Sequence, residues 1–138
     1  VVPLAGQLHV LVAVEPEHAG CIAAGIAAGQ PVSVPTRPTA MAGLNCGTPS
    51  TLAWPLITAG LDAAVTVTEA DDIDAAHDLA LLGIHAGPCG AAPLAALRTA
   101  LTGQDSMTRR QHLRLGADST VVLLVTEGDD SNPVPERG

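Results

Sequence analysis

The sequence predicts an α/β fold in which a parallel sheet is flanked by helices. Three short apolar segments rich in β-branched residues predict buried strands at residues 8–14, 62–67 and 120–126. Helical patterns separate these segments, which favours a parallel sheet. The chain has 138 residues, 47% of them hydrophobic, as is typical of one globular domain. We expect a single domain over residues 1–130 and a flexible tail over the proline-containing residues 131–138.

The first half of the chain alternates between regular patterns and proline. Glu15-Pro16 is expected to end the first strand, and small apolar residues at helical spacing predict a helix over residues 17–28. Prolines then predict an extended connector over residues 30–38. Thr48-Pro49 is typical of a helix start and predicts a helix over residues 50–59. Pro55 lies inside that span, so we expect a kink or a late start.

In the second half, Thr68 and Asp71 have the spacing of a capping box that opens a helix. The apolar face predicted for that helix is formed by Ile73, Ala76, Leu79, Ala80 and Leu82. We interpret Asp71, Asp72 and Asp74 as acids that favour the positive end of the helix dipole rather than as metal ligands. Two further helices are expected over about 91–101 and 106–115.

The composition excludes several classes of function. All six basic residues are arginines, so the chain has no lysine for a Schiff base or a phosphate loop. The net charge of −8 disfavours nucleic acid and acidic membranes as partners. No apolar run is long enough to span a membrane. Three scattered cysteines argue against a disulfide framework, and a cytoplasmic location fits this pattern.

Three segments combine glycine with small polar residues beside regular structure. They are MAGLNCGTPS at 41–50, AGPCGA at 86–91 and VTEGD at 125–129. The third follows a predicted strand, and ligands of parallel α/β sheets bind at the carboxyl ends of strands. The sequence therefore predicts a ligand site near residues 125–129.

Four motifs in order carry a resemblance to a known family: VEP at 14–16, MAGLNCGTPS at 41–50 with Trp54, GPCGAA at 87–92 and VTEGD at 125–129. Together they resemble the C-terminal part of the diaminopropionate ammonia-lyases, which are tryptophan-synthase-β-like, fold type II pyridoxal-phosphate enzymes. The resemblance implies the incomplete C-terminal portion of the large domain of such an enzyme. It departs from the family at Pro88, where an acidic or serine-like residue is expected.

The resemblance also implies a reaction and a set of site residues. The reaction would eliminate ammonia from 2,3-diaminopropionate to give pyruvate, with the cofactor ring holding the electrons of the carbanion. Thr126 matches the hydroxyl that faces the ring nitrogen. Ala42, Gly43 and Leu44 match the segment that passes beside the ring, where glycine permits close approach. No residue of this chain matches a catalytic group of the family.

The lysine and the phosphate loop of the family have no counterpart in these 138 residues. We therefore expect that the isolated chain has no lyase activity and binds no pyridoxal phosphate. In the intact parent, the expected partner is a small amino-acid substrate. We also expect a homo-oligomer, or association with the missing N-terminal portion, because strands and helices would otherwise remain exposed.

Other functions stay open on the residues alone. The chain could be a freestanding, non-catalytic α/β binding module, or a fragment of a serine or threonine dehydratase. Cys89 at a helix start could be a nucleophile with His85 as its base. The spacings His18-x-x-Cys21 and His85-x-x-x-Cys89 could supply zinc ligands, although paired Cys-x-x-Cys elements are absent. Glu127 is expected to be solvated.

Overall fold

Two parallel strands form the sheet of the computed structural model, which describes residues 9–136. Strand β1 is Val12–Pro16 and strand β2 is Ala63–Val67. Val12 pairs with Ala63 at one end of the ladder, and Pro16 pairs with Val67 at the other. The parallel sheet predicted from the sequence is confirmed for these two strands.

Besides the sheet, residues 9–136 form five helices and two short 3-10 turns. The helices are α1 (Cys21–Ala28), α2 (Trp54–Gly60), α3 (Glu69–Leu81), α4 (Pro88–Leu101) and α5 (Ser106–His112). The 3-10 turns are Glu17–Ala19 and Ala42–Leu44.

Helix α4 lies at the centre of the packing, since it contacts both strands, α3, α5 and the 3-10 turn at Ala42–Leu44. Its buried face is made largely of alanine, at positions 91, 92, 95, 96 and 100. Because alanine has no bulk beyond Cβ, neighbouring elements approach the α4 backbone closely. The shared core includes Met41, Val67 and Leu79.

Strand β1 differs from its predicted span. The predicted start, Leu8, lies outside the described residues, and the strand runs through Glu15-Pro16 instead of ending before them. Pro16 holds an extended backbone, with φ −61° and ψ 142°, so it can close the ladder without breaking its geometry. The helix predicted over residues 17–28 is interrupted at Gly20.

Helix α2 begins late, as Pro55 predicted. It starts at Trp54, so Pro55 lies in the first turn, where a missing N–H costs no intrahelical hydrogen bond. The cap predicted at Thr48 is wrong. The Ser50 carbonyl instead accepts from Trp54 N at 2.9 Å, and the Ser50 hydroxyl accepts from Ala53 N at 3.3 Å.

Helix α3 has the predicted cap, because the Thr68 hydroxyl accepts from Asp71 N at 3.1 Å. Its predicted apolar face is partly wrong. Ala80 and Leu82 are exposed, and the buried positions are Asp72, Ala75, Ala76 and Leu79. The buried face therefore consists of two alanines, one leucine and one aspartate, and α3 packs against α4.

The strand predicted over residues 120–126 is absent from the described structure. Those residues form no ladder, and Val122 and Leu124 are largely exposed. The pairing near them is one antiparallel bridge between Ala86 and Gly128. An apolar run becomes a strand only when another strand supplies hydrogen-bond partners, and neither β1 nor β2 pairs with this run.

The remaining boundaries shift by a few residues, and the end of the chain touches the body. Helix α4 begins at Pro88 rather than near 91, and α5 ends at His112 rather than near 115. Within residues 131–136, Val134 packs against the core. Residues 137–138 lie outside the described part. Among residues 9–136, no helix combines the length and the apolar character needed to cross a membrane.

Candidate functional site

The first turn of α4 organises the candidate site. Gly87 caps the helix, Pro88 occupies its first turn, and Cys89 and Gly90 are buried. Gly87 N donates to the Glu127 carbonyl at 3.0 Å. A Cβ on Gly90 would lie 2.3 Å from that same carbonyl oxygen, so only glycine fits there. The 125–129 segment is therefore held directly against the start of α4.

Glu127 is a structural acid at this helix start. Its Oε2 accepts from Cys89 N at 2.9 Å and from Asn132 Nδ2 at 3.3 Å. A carboxylate that accepts a free N–H in the first turn also favours the positive end of the helix dipole. The expectation that Glu127 is solvated is wrong, because its side chain is half-buried and accepts a hydrogen bond from the first turn of α4.

The 41–47 loop forms a second wall on the same end of α4. Met41 is fully buried and anchors the loop, and Leu44 N donates to its carbonyl at 2.9 Å. A Cβ added to Gly43 would lie 3.2 Å from Cys89 Sγ, so this loop and α4 are in close contact. The sulfur of Cys89 also contacts the backbone N–H groups of Gly43 and Leu44.

Asn132 joins the two walls. Its side-chain nitrogen donates to the Ala40 carbonyl at 2.9 Å, just before the 41–47 loop, and to Glu127 Oε2. The Asn132 amide therefore links Ala40, just before the 41–47 loop, to Glu127 in the 125–129 segment. The sequence offered no signal for this, since Asn132 belongs to the predicted tail.

The geometry argues against Cys89 as a nucleophile. Burial raises the pKa of its thiol, and contact with the Glu127 carboxylate raises it further. The proposed base, His85, has Nδ1 3.2 Å from Asp129 Oδ2. A buried thiol beside a carboxylate is a poor thiolate, and its candidate base is engaged elsewhere.

The four residues matched to the cofactor lie on these two walls. Ala42 and Gly43 are exposed, Leu44 is half-buried and Thr126 is exposed. Both walls contact the first turn of α4, so the fold brings the segments that carry these residues to one end of one helix. The surface they form is open.

Two acids of α3 lie close to these walls. Glu69 accepts from the Thr39 hydroxyl and from Ala40 N, the latter at 3.0 Å. Asp72 is fully buried, and neither of its carboxylate oxygens has a hydrogen-bond partner within the described part of the chain. Burial, and then the charges of Glu69 and Glu127, raise the pKa of Asp72 to about 7. The sequence pattern missed this residue because it shares a helix start with exposed acids.

These residues fit part of a pyridoxal-phosphate site. An exposed glycine-containing segment offers a wall without bulky side chains, and Thr126 offers a neutral hydroxyl to a ring nitrogen. The 138 residues contain no lysine, so the amine that would hold the cofactor covalently does not come from this sequence. Among residues 9–136, no three histidines, cysteines or acids are grouped as metal ligands.

The larger of two described cavities borders the 125–129 segment at Asp129. Its volume is about 610 Å³, and its lining includes His77, His85, Asp129 and Val134. The second, of about 320 Å³, lies between α3, α4 and Arg109. Neither lining contains Thr126 or residues 42–44.

Comparison with known proteins adds independent information. A family model described as pyridoxal-phosphate dependent enzyme matches residues 4–127. The chain is 33% identical to diaminopropionate ammonia-lyase of Salmonella typhimurium, over 91% of this chain and 33% of that enzyme. The chain therefore spans about a third of the length of the relatives it matches.

Solved structures show the same fold. A fungal L-serine ammonia-lyase from Rhizomucor miehei matches with a TM-score of 0.67 and 23% identity, over 86% of this chain and 36% of that one. A threonine deaminase from T.th. matches with a TM-score of 0.61 and 27% identity, over 65% of this chain and 34% of that one. In both cases the chain covers about a third of the solved protein.

Proposed function

The chain belongs to the pyridoxal-phosphate dependent enzyme family, and from that premise we propose that it is part of an ammonia-lyase acting on 2,3-diaminopropionate. The observation that carries the proposal is similarity to diaminopropionate ammonia-lyase along nearly the whole chain. The chain spans only a third of that enzyme, so we propose that it contributes part of the site.

Thr126 has the chemistry to orient the cofactor in this proposal. When bound, pyridoxal phosphate supplies an electron sink for the carbanion formed at the substrate α-carbon. The Thr126 hydroxyl would donate to the ring nitrogen without placing a formal charge beside it. A neutral partner makes the ring less electron-demanding than a carboxylate would, which suits elimination.

The 41–47 loop would form the wall beside the ring. Ala42 and Gly43 expose backbone and very small side chains, so a flat group can lie against them. Their support is rigid, because Met41 is buried beneath them and Asn132 fastens Ala40 to Glu127. A binding surface held by packing keeps its geometry better than a free loop does.

The proposal predicts that the 138-residue chain has no lyase activity by itself. It has no lysine, and none of its residues is assigned a catalytic role. Incubation with pyridoxal phosphate and 2,3-diaminopropionate is expected to release no pyruvate above the protein-free rate. Pyruvate formation that depends on the chain would contradict the proposal.

The positive test uses the reading frame upstream of Val1. We expect it to encode a lysine-bearing segment and a glycine-rich loop, and the longer protein to release pyruvate and ammonia from 2,3-diaminopropionate. Thr126→Ala in that protein should shift the cofactor absorbance and lower kcat by roughly tenfold or more. Thr126→Ser, which keeps the hydroxyl, should retain both properties. An upstream frame that begins at a start codon near Val1 would favour a non-catalytic module instead.

A dehydratase of serine or threonine is the second candidate, and the structural similarity to threonine deaminase favours it. The two candidates differ in the group that leaves the β-carbon: an amine in one case and a hydroxyl in the other. Rates on 2,3-diaminopropionate, serine and threonine, measured on the same longer protein, decide between them. A higher kcat/KM on serine or threonine would support the dehydratase.

A further inference from the structure

A polar cavity of about 320 Å³ lies between α3, α4 and α5. Every residue that lines it is polar, and four of the six carry a charge: the lining consists of Asp71, Asp74, Arg98, Thr99, Thr102 and Arg109. None of these residues belongs to the 41–47 loop or to the 125–129 segment. The cavity is therefore a second place where a ligand could bind.

The charges in the cavity are divided between its helices. Both acids come from the first half of α3, where Asp71 and Asp74 share one face of the helix. The arginines come from the other two helices, Arg98 from the last turn of α4 and Arg109 from α5. The cavity therefore has carboxylates from α3 and guanidinium groups from α4 and α5.

Two of these charges are held by groups outside the cavity. Arg98 Nη2 lies 2.9 Å from Asp78 Oδ2, and the Asp71 carboxylate accepts from the Thr68 hydroxyl at 2.7 Å. Neither Asp78 nor Thr68 belongs to the lining. Because both side chains are fixed in this way, less conformational freedom is lost when a ligand binds between them.

Arg109 has a donor that no group of the described chain uses. Its Nη2 donates to the Thr102 carbonyl at the end of α4, whereas its buried Nε has no hydrogen-bond partner among residues 9–136. A buried donor without an acceptor is costly. Arginine binds a carboxylate through two parallel hydrogen bonds, so a ligand carboxylate would supply the acceptor that Arg109 lacks.

The lining excludes several classes of ligand. A metal ion would be repelled by the two arginines, and no three metal-ligating side chains are grouped among residues 9–136. A multiply charged anion would be repelled by the two aspartates, and an apolar molecule would bury polar side chains without partners. A small ligand that carries one cation and one anion matches both the charges and the volume.

We propose that this cavity binds a small zwitterionic α-amino acid. The carboxylate of the amino acid pairs with Arg109, and its ammonium group pairs with Asp71 and Asp74. The Thr99 and Thr102 hydroxyls supply further polar contacts. The side chain of the ligand is small or polar, because the lining offers no apolar residue. Binding here does not depend on the proposed function, since it requires neither a cofactor nor turnover.

Three methyl-bearing probes test the match of charges. Alanine carries both groups, propionate lacks the ammonium group, and ethylamine lacks the carboxylate. The experiment titrates each probe into the folded chain at pH 7 and measures the saturation transferred from the protein to the methyl protons. We expect alanine to bind with a Kd of roughly a millimolar, and the other two probes to bind roughly tenfold more weakly or worse.

Variants on both sides of the cavity locate the bound alanine. Arg109→Gln and Asp71→Asn should each raise the Kd for alanine roughly tenfold. The asparagine keeps an oxygen for the Thr68 hydroxyl, so the start of α3 retains its cap. Arg110→Gln is the matched control for Arg109. Arg110 also lies in α5 and donates to a carbonyl at the end of α4, at 3.2 Å, but it does not line the cavity. Asp118→Asn, at an exposed carboxyl outside the lining, is the control for Asp71. Both controls should leave the Kd unchanged.

Several results would overturn the proposal. A chain that transfers no saturation to alanine does not bind it. Equal affinities for alanine and propionate would indicate a simple anion site, and equal affinities for alanine and ethylamine a simple cation site. Equal weakening by Arg109→Gln and Arg110→Gln would indicate an effect on the end of α4. If Arg109→Gln unfolds the chain, Asp71→Asn decides, and an unchanged Kd in that variant contradicts the proposal.

Discussion

Asp72 shows how one residue escapes a sequence pattern. It stands among acids at the start of α3, and a favourable helix-dipole position explains all of them equally well in the sequence. In the structure Asp71 is exposed and accepts from the Thr68 hydroxyl, whereas Asp72 is buried and its oxygens have no hydrogen-bond partner among residues 9–136. Asp71 and Asp72 are adjacent in the helix, yet the first faces solvent and the second lies in the core.

The raised pKa of Asp72 makes stability depend on pH. The unfolded carboxyl titrates near 3.8 and the folded one near 7, so the folded state binds the proton more tightly. Its stabilising effect is complete below about pH 3.8 and is lost as the pH rises to about 7. Asp72→Asn should remove this dependence and be roughly 1–3 kcal/mol more stable than the wild type at pH 8.

Urea denaturation at pH 4 and pH 8 measures the effect. Asp118→Asn, a change at an exposed carboxyl, provides the control and should follow the wild-type pH dependence. If Asp72→Asn loses as much stability as the wild type between pH 4 and pH 8, the buried carboxyl is not the source.

Gly90 provides a second test at a single residue. Its replacement by alanine would set a Cβ 2.3 Å from the Glu127 carbonyl and 3.1 Å from Val125 Cγ1. Backbone oxygen cannot rotate away, so the 125–129 segment must shift. We expect Gly90→Ala to lower the free energy of unfolding by roughly 2–4 kcal/mol. Gly116→Ala, which adds a Cβ where no neighbouring atom lies within 4 Å, should change it by less than about 1 kcal/mol.

At the scale of elements, the start of α4 depends on contacts from two distant segments. Glu127 caps Cys89 N, and Asn132 bridges Glu127 to Ala40. We expect Asn132→Ala to cost roughly 1–2 kcal/mol of unfolding free energy, because it leaves a part-buried carbonyl and a carboxylate without this donor.

A double-mutant cycle tests whether these groups act as one unit. Glu127→Ala and Asn132→Ala should be coupled by roughly 0.5–1.5 kcal/mol in denaturant unfolding. Asn45→Ala is the matched control, since Asn45 is an exposed asparagine with one bond to the Arg37 carbonyl. If the free-energy effects of Glu127→Ala and Asn132→Ala simply add, the hydrogen bond between these two side chains does not couple them.

Over the whole molecule, the apolar run at 120–126 is the largest mismatch between pattern and fold. It has the composition of a buried strand, yet Val122 is 75% and Leu124 is 67% exposed. An exposed extended apolar segment with unpaired backbone groups favours pairing with another chain. We expect the isolated chain to self-associate, with a sedimentation coefficient that rises with protein concentration.

Charged side chains in the 120–126 run should prevent this self-association. The double variant Val122→Glu with Leu124→Glu is expected to sediment as a monomer over the same concentrations. Leu52→Glu, at a side chain 91% exposed but outside the run, is the control and should associate like the wild type. A wild-type chain that remains a dilute monomer with a cooperative melt would contradict the prediction.

Local sequence patterns were enough to predict much of the secondary structure of this protein. The Thr68 cap and the delayed start of α2 at Pro55 follow from neighbours along the chain, because capping and proline geometry act within one turn. The apolar runs at 8–14 and 62–67 indicated where the two strands lie. The four ordered motifs sufficed for the family, and the match over residues 4–127 agrees with them.

Contacts between distant segments were decided by the tertiary structure alone. The packing of α3 buried Asp72, the turn after Thr126 brought Glu127 onto α4, and Asn132 joined it to Ala40. Each depends on which faces pack together, and a one-dimensional pattern contains propensities but not the partner that burial and hydrogen bonding require.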